Sequence, residues 1–142
     1  MGIKGNKSIE IVLQNEILPI LPLHIAKTIE SIDIKYLLSL EEIRLRAMKP
    51  LMLTINNEAF MLTNNGEITR NCDLAYYVTK EDINKSYHFI SQCSVYSFEE
   101  ELKNGYITIS GGHRVGFSGH VILENNDIKA IRNISSLKIR IA

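Results

Sequence analysis

The chain has 142 residues, 45% of them apolar, and a formal net charge of zero. That length can bury one substantial core but not two large domains. Balanced charge argues against a protein dedicated to coating DNA or RNA, which works by neutralising many phosphates.

In chain order, Ile9, Val12, Leu13 and Ile17 recur at helical spacing after Ser8, a suitable N-cap, and Pro19 is expected to end that helix. A second helix is expected from Pro22, with Ile25, Ile29, Ile32 and Tyr36 on one side. Residues 1–40 thus read as an N-terminal helical segment whose helices cover a sheet, and residues 41–142 as an α+β domain, the two together making one domain.

At Glu41 the period becomes alternating: Ile43 and Leu45 take one face, Glu42, Arg44 and Arg46 the other. Lys49-Pro50 breaks this strand, Leu51–Ile55 resumes it, and Asn56-Asn57 turns into Ala59–Thr63. Asn64-Asn65-Gly66 is a further turn, with weaker strand patterns at 67–70 and 75–78. Thr79 then caps a helix, with Asp82 in the capping-box position and an apolar stripe of Ile83, Tyr87 and Ile90. A break is expected near Ser94. A further helix to Lys103 has Val95, Phe98 and Leu102 inward and Glu99–Glu101 largely outward.

Gly105 follows the last periodic residue, where glycine makes the easiest left-handed C-cap. Tyr106–Ile109 is a short strand, and Gly111-Gly112 supplies the positive φ values of a tight turn. From His113 onward Val115, Phe117, Gly119, Val121 and Leu123 point to the core. Arg114, Gly116, Ser118, His120 and Ile122 point away. Arg114 beside the bare Gly116 leaves a cation room to reach out and backbone that a neighbour can approach. After a polar turn at 124–127 come a strand at Ile128–Arg132 and another in which Leu137, Ile139 and Ile141 alternate with Lys138 and Arg140. The pattern stops abruptly at Ala142, as in a piece of a longer chain. The class expected is α+β, with a mainly antiparallel or mixed sheet covered by helices.

Charge is unevenly placed: residues 71–105 hold three Lys/Arg against six Asp/Glu, and residues 106–142 hold five against two. Cys72 and Cys93 lack CxxC spacing, so neither a zinc ribbon nor a disulfide framework is suggested and a reducing cytoplasm fits. The charge-free run Ile17–Ala26 contains two prolines and falls short of the ~20 residues of a spanning helix. The first residues match neither a myristoylation signal nor a signal peptide.

Motifs that would carry chemistry are mostly missing. GxxxxGK[ST] does not occur, so the chain has no P-loop of its own. Gly116-Phe117-Ser118-Gly119 matches the GxxG of a KH loop in letters only, since that loop joins two helices. His24, His88, His113 and His120 show no metal-ligand spacing and read as partly exposed structural histidines. Glu99-Glu100-Glu101 points in three directions on a helix, and Ser110 lacks a nucleophile elbow. The residues singled out for contact are Arg114 and Arg140, either for an interdomain surface or for nucleotide phosphates; Gly105, Gly111, Gly112 and Gly116 are assigned to turns and caps. For Arg114 the plain alternative is an ion pair with one of Glu99–Glu101, tying the hairpin to the acidic helix.

The segments EEIRLRAMKPL, VTKEDI, FEEELKNGYITISGGHRVGFSGHVIL and IRNISSLKIRIA together resemble the N-terminal region of the stage III sporulation protein AA family. The resemblance covers almost everything from Glu41 to Ala142, and its GYIT, GGHRVG and ISSL-IRIA pieces are the specific part. It implies a cytoplasmic mother-cell ATPase, similar to type II secretion and type IV pilus ATPases, needed for the channel between mother cell and forespore. In that family the Walker A lysine lies beyond the IRIA stretch. The resemblance therefore implies a noncatalytic, PAS-like regulatory or assembly domain. ATP and magnesium would be expected only for the longer protein, and no cofactor for this chain. The partners implied are its own ATPase domain, neighbouring subunits of a hexamer, and membrane proteins of the channel. The rival reading is a nucleic-acid-binding module using the basic strands of residues 106–142. It would need stacking aromatics beside the cations, with Tyr106 and Phe117 available.

Overall fold

In the computed structural model, residues 8–93, 98–102 and 105–142 are described. Ser8 caps α1 (Ile9–Val12) by accepting a hydrogen bond from the Ile11 amide at 3.3 Å. The helical path does not stop before Pro19. It widens into a π turn at Leu13–Ile17 and tightens into a 3-10 turn at Leu18–Ile20 that holds the proline near its start, where its missing N–H costs least. Pro22 is the N-cap of α2 (Leu23–Glu30). The helix expected to continue to Tyr36 breaks at Ser31, because Asp33 caps a separate α3 (Ile34–Leu37) through the Lys35 amide.

Seven strands form one sheet: β1 (Leu40–Arg46), β2 (Met52–Ile55), β3 (Glu58–Leu62), β4 (Ile68–Thr69), β5 (Tyr106–Thr108), β6 (Arg114–Glu124) and β7 (Asp127–Arg140). Their order is β4-β3-β2-β1-β7-β6-β5, and every pairing is antiparallel, so the sheet is not mixed. The last strand therefore returns to the middle, beside β1. Asn56-Asn57 and Asn125-Asn126 both take positive φ at two-residue turns, as primed hairpin turns require. Residues 75–78 make only isolated bridges, Thr63 with Ala75 and Pro50 with Tyr77.

The two strands expected at 128–132 and 137–141 are one, β7, interrupted by a register shift opposite Gly119 where Asn133 takes a positive φ of 51°. A side chain at Gly119 would meet the Arg132 carbonyl at 2.8 Å, so the close approach there depends on glycine. Beyond this bulge the helical cover ends. Val121 and Leu123, expected in the core, are exposed, and the core face of β6 stops at half-buried Phe117.

The helices lie on one face of the sheet and share its core: Ile17, Ile25 and Ile29 belong to the same buried cluster as Ile43, Leu45, Val115, Leu137 and Ile139. Each such side chain contributes about 1.5–3 kcal/mol of burial, and a one-residue strand slip would turn it outward, so the core fixes which face of every strand is left over. α4 (Lys80–Cys93) starts with a reciprocal box, the Asp82 amide donating to Thr79 Oγ1 at 3.1 Å and the Thr79 amide to Asp82 Oδ2 at 3.0 Å. The expected break at Ser94, the inward Val95 and the helix end at Lys103 lie outside the described residues. α5 (Phe98–Leu102) buries Leu102 and also Glu101, which was expected outward. Its Oε2 accepts the Thr108 amide at 2.6 Å and so ties the helix to β5.

Candidate functional site

The face of the sheet away from the helices is built by register. Across β1, β7 and β6, Glu42 lies opposite Arg140, which lies opposite Arg114; the next row is Arg44, Lys138 and Gly116; the third is Arg46, Ser136 and Ser118. Strand parity put Arg44 with Arg46, Arg114 with Gly116, and Lys138 with Arg140. Only the pairing of β1 with β7 shows that all of them share one surface. Arg46, Arg114, Lys138 and Arg140 are exposed, and Arg44 is half-buried.

Little on this face neutralises the cations. Glu42 accepts a hydrogen bond from Arg44 at 3.1 Å, while Arg46, Lys138 and Arg140 have no carboxylate partner among the described residues. Arg114 does not reach a carboxylate there either; its guanidinium lies over the Tyr106 ring, 4.7 Å from the centroid. Of the three carboxylates of the acidic helix, Glu101 is committed to the Thr108 amide, and the side chain of Glu99 lies outside the described residues. Arg114 and Arg140 stand directly opposite each other, a like-charge pair that opposes folding by a few tenths of a kcal/mol and up to ~1. Such a pair favours whatever brings negative charge to it.

Between Arg44, Arg46 and Lys138 the surface sinks into a depression of about 320 Å³, floored by Gly116 and edged by Ser118 and Ser136. The turn glycines behave as expected: Gly105, Gly111 and Gly112 have φ of 86°, 95° and 83°. Gly116 does not belong with them. It has no positive φ, and an added Cβ would meet nothing closer than the Gly105 carbonyl at 4.0 Å. Neither backbone nor packing calls for glycine there.

On the core side, the hairpin between β5 and β6 carries a second arrangement. His113, expected to be partly exposed, is fully buried, and its Nε2 lies 2.7 Å from Oε1 of buried Glu16. The Ala142 amide donates to His113 Nδ1 at 3.0 Å. A third cluster joins His24, Tyr76 and Asp82: His24 Nε2 is 2.8 Å from Asp82 Oδ1 and 2.9 Å from the Tyr76 hydroxyl, which itself donates to Asp82 Oδ2. Burial, then the hydrogen bond to Asp82 and its charge, hold the Tyr76 hydroxyl well above the ordinary tyrosine range. Asp82 is also tied into the start of α4 through the Thr79 amide and hydroxyl, so the cluster joins α2, the segment before α4 and the α4 cap. Among the described residues no group of His, Cys, Asp or Glu gathers to hold a metal, and no helix is long and apolar enough to cross a membrane.

The sequence reading missed Arg46, Lys138 and the serines as parts of one site. Their alternation was visible, but nothing local tells which distant strand lies alongside. Fold and site together define an α+β domain whose open sheet face is cationic. Residues 12–142 match the family model described as Sporulation stage III, protein AA. Over 128 residues the chain is 38% identical to the Stage III sporulation protein AA of Bacillus subtilis (strain 168), a match that takes in 90% of this chain and 38% of that protein. The chain belongs to the sporulation stage III protein AA family and spans well under half the length of that relative.

Proposed function

We propose that this chain is a noncatalytic assembly domain acting in sporulation, docking through its cationic sheet face on an acidic surface of an ATPase domain in the longer protein. Family membership supports the role in sporulation. The observation that carries the docking reading is the group of Arg46, Lys138, Arg140 and Arg114, without carboxylate partners among the described residues, on a sheet face that the described helices leave open. Complementary charge of this kind guides encounter and fixes orientation more than it adds raw affinity. The resemblance to secretion-type ATPases supports a reading in which subunits of a hexamer meet through this domain, while ATP and magnesium belong to the longer protein's catalytic part.

Nucleic acid fits this face less well. Tyr106 is already covered by Arg114, and Phe117 packs edge-on against Tyr87 at 5.1 Å on the other side of the sheet, so neither ring is offered for base stacking beside the cations. The test is the longer protein carrying Arg46→Glu and Lys138→Glu. Assembly by light scattering and ATP turnover should both fall, with the domain still folded by its melting temperature. Unchanged assembly and turnover would overturn the docking reading. A salt-dependent fluorescence titration with single-stranded RNA that gave tight binding, lost in the same variant, would put the nucleic-acid module in its place.

A further inference from the structure

We infer that the depression over Gly116 is a socket for one acidic side chain of the docking partner, its carboxylate held by Arg46 and Lys138. This rests on the docking reading above and adds the chemistry of the contact. The first argument is the glycine. Within a strand, glycine costs roughly 0.5–1 kcal/mol relative to alanine, and here it is repaid by neither a positive φ nor a close contact. What its missing side chain does provide is open floor directly beside Lys138, its register neighbour on β7.

The second argument is the donor set. Gly116 is flanked by strands on both sides, paired with Tyr106 of β5 and Lys138 of β7, so its backbone is engaged in the sheet. Protein sites for phosphate draw heavily on free backbone N–H groups at helix N-termini and in nests, whereas the described residues lining this surface are mostly strand residues paired in the sheet. The donors left are side chains: the Arg46 fork, the Lys138 ammonium and the hydroxyls of Ser118 and Ser136 at the edge. An arginine fork matches the two oxygens of a carboxylate, and an ammonium supplies charge from the other side. Arg44, held by Glu42 at 3.1 Å, forms the far wall rather than the main donor.

The test separates the socket from docking in general. The isotope-labelled chain is titrated at constant ionic strength with N-acetylated tetraglutamate and, separately, with inorganic phosphate, while amide shifts are followed. Saturable shifts centred on Gly116, Ser118 and Lys138 are expected with the peptide. They should weaken about tenfold in Gly116→Val, which fills the floor without changing charge, and by less in Gly116→Ala, whose Cβ the structure accommodates. Equal binding by the wild type and both glycine variants, with loss in Arg46→Gln/Lys138→Gln, would overturn the socket and leave docking standing. Binding indifferent to the charge variant as well would overturn both. Saturation by phosphate at lower concentration than by the peptide would overturn the carboxylate assignment.

Discussion

His113 and Glu16, separated by 97 positions in the chain, meet as a buried pair at 2.7 Å. A backbone N–H can only donate, so the contact from Ala142 makes His113 Nδ1 an acceptor and leaves the hydrogen on Nε2, directed at the Glu16 carboxylate. The pair thereby connects the N-terminal helical run, the β5–β6 hairpin and Ala142, two residues beyond β7. Removing the ring takes a hydrogen-bond donor away from a buried carboxylate, whereas converting Glu16 to its amide keeps a hydrogen-bond acceptor facing the ring. His113→Ala should therefore cost about 3 kcal/mol and Glu16→Gln only about 1 kcal/mol. Urea unfolding of the two variants checks this, and equal losses would show that the charge is not what matters.

Alanine at three glycines should give three different results. At Gly105, where φ is 86° and nothing lies within 4 Å of an added Cβ, the cost is backbone strain alone, about 1 kcal/mol. At Gly111, φ is 95° and the added carbon would overlap Glu16 Oε1 and come within 2.7 Å of His113 Nε2, so the loss should exceed that at Gly105 severalfold. At Gly116 neither penalty exists, and alanine should leave the melting temperature unchanged or raise it. A Gly116→Ala variant as unstable as Gly111→Ala would remove the structural basis for an open floor.

The start of α4 should be sensitive to Asp82 beyond an ordinary cap. Thr79→Ala removes one side-chain bond to the helix and should cost about 1 kcal/mol. Asp82→Ala removes the reciprocal bond and also takes a partner from the Tyr76 hydroxyl and from His24, so about 2 kcal/mol is expected. Chemical denaturation of both variants decides, and a smaller loss for Asp82→Ala would contradict the shared role.

Tyr76 should make stability fall at alkaline pH. Its folded-state value is raised above the ordinary 10.0, chiefly by burial and then by Asp82, so the neutral form is favoured in the fold. The contribution is fully present below the unfolded value and is lost as pH rises toward the folded one, because only the unfolded chain ionises in that window. The stability difference between the native protein and Tyr76→Phe should be constant up to pH about 10 and then move in favour of phenylalanine. A difference that stays flat through that range would mean the hydroxyl titrates alike in both states.

The sequence by itself determined the local devices: the Ser8 and Thr79 caps, the Asn-Asn turns, the left-handed glycines at 105, 111 and 112, and the inward parity of Ile43, Leu45, Val115, Leu137 and Ile139. Each rests on atoms a few residues apart, or on a period that a buried face imposes along one strand. Tertiary structure alone decided that β7 returns beside β1, which puts Arg46 opposite Ser136 and Arg44 opposite Lys138 and merges separate basic strands into one face. It alone also buried His113 against Glu16 and turned Glu101 inward to Thr108. Parity says which side of a strand a residue takes, but which strand lies next to it depends on how distant segments close around a common core. That choice is made by the packing of the whole chain and leaves no mark within any short stretch of it.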